Sequence, residues 1–151
     1  MLGVLILDKD IKMIEFELRR LADITKNIGR QVLKEYDISE TQFIAIQWIN
    51  ETEKMTIGDL ALKMNLANSS TSELIDQLTQ KGYCQREKDD KDKRKVILKL
   101  TNKSIELIEA VIQKRQIFLQ NLLQKSDIDM QILKSQIHNL YINTDEGEDI
   151  E

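Results

Sequence analysis

A basic cluster between Thr56 and Lys103 contains the residues of this 151-residue sequence that are best suited to chemistry, and that chemistry is the binding of phosphate. The chain as a whole is acidic, with 22 lysine and arginine residues against 26 aspartate and glutamate residues and a formal charge of -4. The cluster reverses this balance with Lys63, Lys81, Arg86, Lys88, Lys91, Lys93, Arg94, Lys95, Lys99 and Lys103, against seven acidic residues. A local excess of positive charge in an acidic protein indicates a polyanion as partner.

Few residues are available for other kinds of chemistry. The single cysteine, Cys84, cannot form an internal disulfide, and one histidine, His138, leaves too few ligands for a cysteine and histidine zinc site. The sequence contains no Gly-rich phosphate loop and neither a G-x-S-x-G nor an H-E-x-x-H pattern. We therefore predict a protein that is not an enzyme and that uses no cofactor or metal.

The basic cluster must be positioned by a mainly helical chain, because proline is absent and glycine occurs only five times. Apolar residues recur at helical spacing in both terminal segments, which predicts long helices within 11–35 and 103–142. Another helix is predicted to begin with a capping box formed by Ser39 and Gln42. Its predicted buried side is Phe43, Ile46 and Ile49.

Two short helices joined by a tight turn are predicted in the middle of the chain. The first runs from about Thr56 to Met64, and the second runs from about Ser69 to Lys81. Gly82 follows at the position where a left-handed C-cap is needed. The residues of the second helix that keep helical spacing are Thr71, Leu74, Ile75 and Leu78. Such a pair of helices is a candidate helix-turn-helix.

After Gly82 the apolar residues alternate, as in a half-buried strand. The alternating residues are Val96, Leu98 and Leu100. Residues 83–88 can pair with this strand across the polar turn 89–94, which gives a β-hairpin with a charged tip. Helix, turn, helix and basic hairpin is the order of a winged helix. The predicted fold class is mainly α with a small β-hairpin: a winged helix-turn-helix over 39–101, flanked by N- and C-terminal helices.

The stretch from Met55 to Thr101 resembles the DNA-binding lobe of the MarR family of transcription regulators. Its most specific part is the run DDKDKR at 89–94, which is similar to the family's D-x-R-D-x-R wing pattern and precedes an apolar strand ending in Leu-Thr. The run LIDQL at 74–78 and the Lys-Gly end of its helix also match, and the resemblance covers nearly the whole chain.

The resemblance implies one domain over 1–151 and a bacterial regulator that binds double-stranded DNA in a sequence-specific way. Family members most often act as repressors, so we expect a homodimer on a pseudo-palindromic operator, relieved by a small-molecule effector. The terminal helices at 11–35 and 103–142 would form the dimer. The apolar faces of these helices also favour a partner copy, because a lone chain cannot easily bury them. The alternative is a winged-helix protein-interaction module that does not bind DNA directly.

The exposed face of the second short helix carries the predicted DNA contacts. Small hydroxyls near its N-terminus allow close approach to phosphate, where the helix dipole favours an anion. Glu73 stands where the family often has a basic residue; it repels phosphate but could accept a bond from a cytosine amino group. The candidates are Ser69, Ser70, Ser72, Glu73 and Gln77. The alternative is that the serines only cap and solvate a surface helix.

The hairpin tip carries the predicted phosphate contacts, which are Lys91, Lys93, Arg94 and Lys95. Asp92 is expected to stabilise the wing by holding Arg94, since an unpaired carboxylate beside the DNA backbone is unfavourable. Lys91 stands where the family usually has arginine and lacks the planar fork that fits a narrow minor groove. The alternative is a solvated hairpin tip with alternating charges.

The remaining predictions concern burial and location. We expect Cys84 to be a buried packing residue rather than a redox switch, and His138 to be a packing or surface residue. The apolar run at 1–7 lacks the features of a signal peptide, and no apolar run approaches the length of a membrane span. We therefore expect a cytoplasmic protein. The acidic tail at 145–151 is expected to be disordered.

Overall fold

A computed structural model describes residues 8–144, which form six helices and one antiparallel hairpin. The elements are α1 (Lys9–Leu33), α2 (Glu40–Glu51), α3 (Ile57–Met64), α4 (Asn68–Gln80), β1 (Cys84–Lys88), β2 (Val96–Leu100), α5 (Asn102–Gln124) and α6 (Met130–Ile142). The predicted fold class is confirmed. The predictions made for the apolar run at 1–7 and for the acidic tail at 145–151 lie outside the described residues.

The chain divides into two compact units, the first ending at Arg115 and the second beginning at Gln116. The first unit contains a hydrophobic core to which α1, α2, α4, the hairpin and the start of α5 contribute. Its fully buried side chains include Ile46, Met55, Leu60, Ile75, Leu78, Tyr83, Leu107 and Val111. Within the second unit, α6 has no buried residue. The division into a 39–101 lobe and terminal dimerisation helices stays a prediction.

Local capping signals determine where α2 and α3 begin. Ser39 and Gln42 exchange hydrogen bonds at the start of α2, and Thr56 and Asp59 do so at the start of α3. The capping box of Ser39 and Gln42 was predicted and is confirmed. Helix α3 ends at Asn65, whose left-handed φ of 53° turns the chain sharply. This turn allows α4 to begin three residues later, at an angle to α3.

Helix α4 ends where glycine is required. Gly82 has φ +81°, and the next amide, that of Tyr83, donates to the carbonyl of Leu78 at 2.8 Å. The helix covers Asn68–Gln80, so it begins and ends one residue earlier than predicted. Strand β1 begins after three further residues, which places the start of the hairpin beside the end of α4.

The hairpin pairs Cys84 with Leu100 and Lys88 with Val96. The predicted alternation of buried residues is wrong at Val96, which is 41% exposed, whereas its neighbour Ile97 is only 6% exposed. The reason is tertiary: the Leu98 amide donates to the Met55 carbonyl at 2.7 Å, so the loop before α3 lies along β2. Val96 instead pairs with Lys88 beside the wing turn.

Among residues 8–144, no helix combines the length and the apolar character that crossing a membrane requires.

Candidate nucleic-acid interface

Helix α4 turns one face to the core and leaves its N-terminal turn exposed. Thr71, Ile75 and Leu78 are fully buried, as predicted, while Ser69, Ser70 and Glu73 are exposed. Side chains cap α1, α2, α3 and α6, but the N-cap position of α4 is an alanine with no side-chain hydrogen bond. The first amides of α4 are therefore available to an external acceptor such as phosphate.

Of the predicted contacts on α4, Gln77 has a hydrogen-bond partner within the protein and Ser72 is half-buried. The buried Gln42 of α2 donates to the side-chain oxygen of Gln77 at 3.0 Å, which turns Gln77 toward α2. Ser72 is half-buried and lies one turn before Asp76, on the side of α4 that faces β1. The structure thus leaves Ser69, Ser70, Glu73 and Gln77 exposed, with Gln77 also bonded to Gln42, whereas Ser72 is half-buried.

An ion pair joins α4 to the wing strand β1. The guanidinium of Arg86 lies 2.7 Å from the carboxylate of Asp76, and about a third of the Arg86 side chain is exposed. This pair links the hairpin to α4 and partly offsets the negative charge of Asp76, whose side chain is 62% exposed. Sequence reasoning counted Arg86 as part of the basic cluster but did not assign it this role.

Acidic neighbours hold two of the four predicted wing cations. The Arg94 guanidinium makes two bonds to Asp92, at 3.1 and 3.4 Å, and the Arg94 amide also donates to Asp92. The predicted contact is therefore present, and the bond from Arg94 lowers the pKa of the Asp92 carboxyl below its ordinary value. The Lys93 ammonium forms a long ion pair with the Asp90 carboxylate, at 3.8 Å.

Lys91 and Lys95 are exposed and have no ion-pair partner among residues 8–144. Lys88, the last residue of β1, shares this condition and was missed as a candidate, although it directly precedes the turn. The charge of Lys95 also contributes, after the hydrogen bond from Thr56, to lowering the pKa of Asp59. These three lysines are the wing cations best placed to neutralise phosphate.

The base of the wing is tied to the loop before α3. Lys54 lies 3.0 Å from Asp89, the first residue of the wing turn, and this hydrogen bond lowers the pKa of the Asp89 carboxyl. Sequence reasoning missed this contact, because 35 residues separate the two partners.

Cys84 and His138 occupy the environments expected of them. Cys84 is 2% exposed, and burial raises the pKa of its thiol. His138 lies on the exposed surface of α6. Within residues 8–144, no three histidine, cysteine, aspartate or glutamate side chains are grouped as metal ligands.

Comparison with known proteins gives a matching family profile, a relative in sequence and two similar solved structures. The MarR family profile matches residues 38–96. YsmB of Bacillus subtilis, an HTH-type transcriptional regulator, is 38% identical over 128 residues, which cover 84% of this chain and 88% of YsmB.

Two solved structures have the same fold. A MarR family protein from Bacillus stearothermophilus is 34% identical, with a TM-score of 0.71 and coverage of 89% of this chain and 95% of that one. The transcriptional regulator Tm0710 from Thermotoga maritima is 29% identical, with a TM-score of 0.75 and coverage of 85% and 89%. The similarity therefore includes the helices outside the winged lobe.

Proposed function

Because this chain belongs to the MarR family of DNA-binding transcription regulators, we propose that it is a repressor that binds a pseudo-palindromic operator as a homodimer and is released by a small-molecule effector. The observation that carries the DNA contacts is the uncapped N-terminus of α4 together with a hairpin on which Lys88, Lys91 and Lys95 have no ion-pair partner among residues 8–144. A helix N-terminus and a basic wing are the two parts that a winged helix uses in the major groove and on the flanking backbone.

The contacts divide into two kinds. The exposed N-terminal turn of α4, with Ser69 and Ser70, approaches a phosphate, and Lys91 and Lys95 neutralise the flanking backbone. Glu73 is exposed on the same helix and has no ion-pair partner among the described residues, so it repels phosphate and accepts a hydrogen bond only from a base edge such as cytosine N4. Phosphate contacts set affinity, and Glu73 sets base preference.

The case for a homodimer rests on apolar side chains that the chain leaves exposed. Along the first half of α1, Ile11, Ile14, Leu18 and Leu21 are each 46–52% exposed, whereas Val32 near the end of the helix is 7% exposed. In the second unit, α6 exposes Ile132, Ile137 and Leu140 at 55–63%. Contiguous apolar faces of this kind mark an interface between chains. A two-fold dimer places two recognition helices about 34 Å apart, one helical turn of DNA.

A cationic pocket within the first unit supports the effector. Its lining combines Lys26, Arg30 and Arg115 with the apolar side chains of Phe43 and Ile44. It also includes Glu40, whose carboxylate lies 2.9 Å from the Arg30 guanidinium. The Nε atom of Arg115 is buried and has no hydrogen-bond partner in the described residues. A buried guanidinium nitrogen without an acceptor is costly, and an anionic ligand supplies the acceptor. The cavity has a volume of about 30 Å³, so we expect it to admit only a small acidic group of an effector.

Occlusion of a promoter by the dimer is the proposed mode of repression. The test is transcription in vitro from a promoter that overlaps a binding site found by selection, with and without the protein. Repression that disappears when Lys91 and Lys95 are both changed to glutamine supports the proposal. Transcription that rises when the protein is added contradicts repression, although it leaves DNA binding intact.

A further inference from the structure

One contact at the wing is not explained by the contacts with DNA. The Lys54 ammonium lies 3.0 Å from the Asp89 carboxylate, and the Asp89 side chain is only 11% exposed although it stands at the edge of the wing turn. Lys54 belongs to the loop between α2 and α3, so the pair joins the wing to a different part of the fold. The carboxylate faces Lys54 rather than solvent or a DNA phosphate.

Asp89 stands where the wing turn is closed. Its backbone amide donates to the Lys95 carbonyl at 3.0 Å, so the position of Asp89 determines where the turn that carries Lys91 and Lys95 begins. The nearest backbone link between the hairpin and the same loop is the bond from Leu98 to Met55, the residue after Lys54. The pair between Lys54 and Asp89 thus extends this attachment from β2 to the turn.

The Lys54 backbone adopts φ +57°, a left-handed conformation that is unfavourable for residues other than glycine. Glycine would suit this backbone better, but it would lack the side chain with which Lys54 bonds to Asp89.

We propose that Lys54 is a positioning residue for DNA binding, which acts through Asp89 to hold the wing turn where Lys91 and Lys95 reach phosphate. The proposal rests on the DNA contacts proposed for the wing. A turn of seven residues that is ordered before binding pays less entropy when the complex forms, so fixing its base increases affinity without a new contact to DNA.

Charge arguments and positioning predict opposite effects for Asp89→Asn. If charge alone matters, the removal of a carboxylate beside DNA strengthens binding. If Asp89 links Lys54 to the wing, the same change weakens binding. The asparagine keeps a side-chain oxygen for the turn amides but loses the ionic partner of Lys54.

The experiment compares Lys54→Gln, Asp89→Asn and the double variant by fluorescence anisotropy with a mixed-sequence duplex three helical turns long. We expect each single change to weaken binding about threefold to fivefold, the range of a half-exposed ion pair, and the double variant to be no weaker than either. Stronger binding by Asp89→Asn, or additive losses in the double variant, would overturn the proposal.

Two further variants separate positioning from general effects. Lys99 was counted in the basic cluster, but it lies 2.6 Å from Glu87 and is not among the proposed phosphate contacts. Lys99→Gln therefore removes the same charge from a second ion pair of the hairpin, and we expect less than about a twofold change. An equal loss in Lys99→Gln would overturn the proposal. Lys54→Gly suits the left-handed backbone, so we expect unchanged or higher thermal stability with weaker DNA binding. Unchanged binding by this variant would also overturn the proposal.

Tryptic cleavage within 91–95, measured without DNA, distinguishes this proposal from the proposed function on which it rests. We expect Lys54→Gln to raise the cleavage rate and Lys99→Gln to leave it unchanged. Faster cleavage without loss of affinity would overturn the proposed wing contact with DNA, and the positioning role with it. An unchanged cleavage rate would overturn the positioning role alone.

Discussion

Replacement of Lys91 and Lys95 by glutamine removes the two wing-turn cations that have no ion-pair partner among residues 8–144. Each lost phosphate contact lowers the slope of log affinity against log salt by about 0.9, so the double variant loses about 1.8 per wing. If the two lysines contribute nothing to affinity at 1 M salt, their replacement weakens binding relative to the wild type at 0.1 M salt by about 60-fold per wing. A dimer with two wings bound loses about 3.6 in slope.

Anisotropy titrations at several salt concentrations, with a selected operator and a scrambled duplex, measure both quantities. The two duplexes are expected to lose affinity almost equally, because phosphate contacts carry no sequence information. Lys114→Gln is the matched control, since Lys114 is an exposed lysine of α5 that no proposed contact uses. An unchanged slope in the wing variant, or an equal change in the control, would refute the assignment of the wing to the DNA backbone.

Three other changes test separate parts of the account. Glu73→Ala is expected to change which sequences selection recovers and to raise affinity for scrambled duplex, because it removes a carboxylate that repels phosphate; an unchanged selection would show that Glu73 does not contact bases. Leu18→Asp, at a position 52% exposed on α1, is expected to convert a dimer of about twice 17.6 kDa into a monomer by light scattering, whereas Leu18→Met leaves the dimer intact. A monomeric wild type would contradict the interface. Cys84→Ser is expected to cost about 1–2 kcal/mol of unfolding free energy by denaturant titration and to leave DNA binding insensitive to peroxide, because burial raises the pKa of the Cys84 thiol and little thiolate forms near neutral pH. Peroxide-dependent release of wild type, lost in the variant, would show a redox role.

Much of the fold follows from local signals that the sequence displays. Capping boxes at Ser39 and Thr56 mark the starts of two helices, and Gly82 marks the end of a third because its backbone needs a positive φ. The bond between Asp92 and Arg94 spans only two residues and could be predicted for the same reason. Predictions of this kind succeed because both partners lie within one turn of chain.

The errors and omissions arise where distant segments meet. The hydrogen bond from Gln42 to Gln77 joins residues 35 positions apart, and no periodicity reveals that contact; the predicted DNA contact of Gln77 stays a prediction. The burial of Ile97 in place of Val96 depends on the loop that packs along β2, which strand alternation does not include. For the same reason, the pairing of Lys54 with Asp89 required the folded structure.

Selection of bound fragments from genomic DNA, followed by sequencing, tests sequence-specific operator binding by a homodimer most directly. The account predicts enrichment of a pseudo-palindrome whose half-sites lie about one helical turn apart. It also predicts that Glu73→Ala recovers a different motif, while the Lys91 and Lys95 double variant recovers the same motif with weaker enrichment. Recovery of fragments with no shared motif, at affinities equal to those for scrambled duplex, would contradict sequence-specific regulation by this protein.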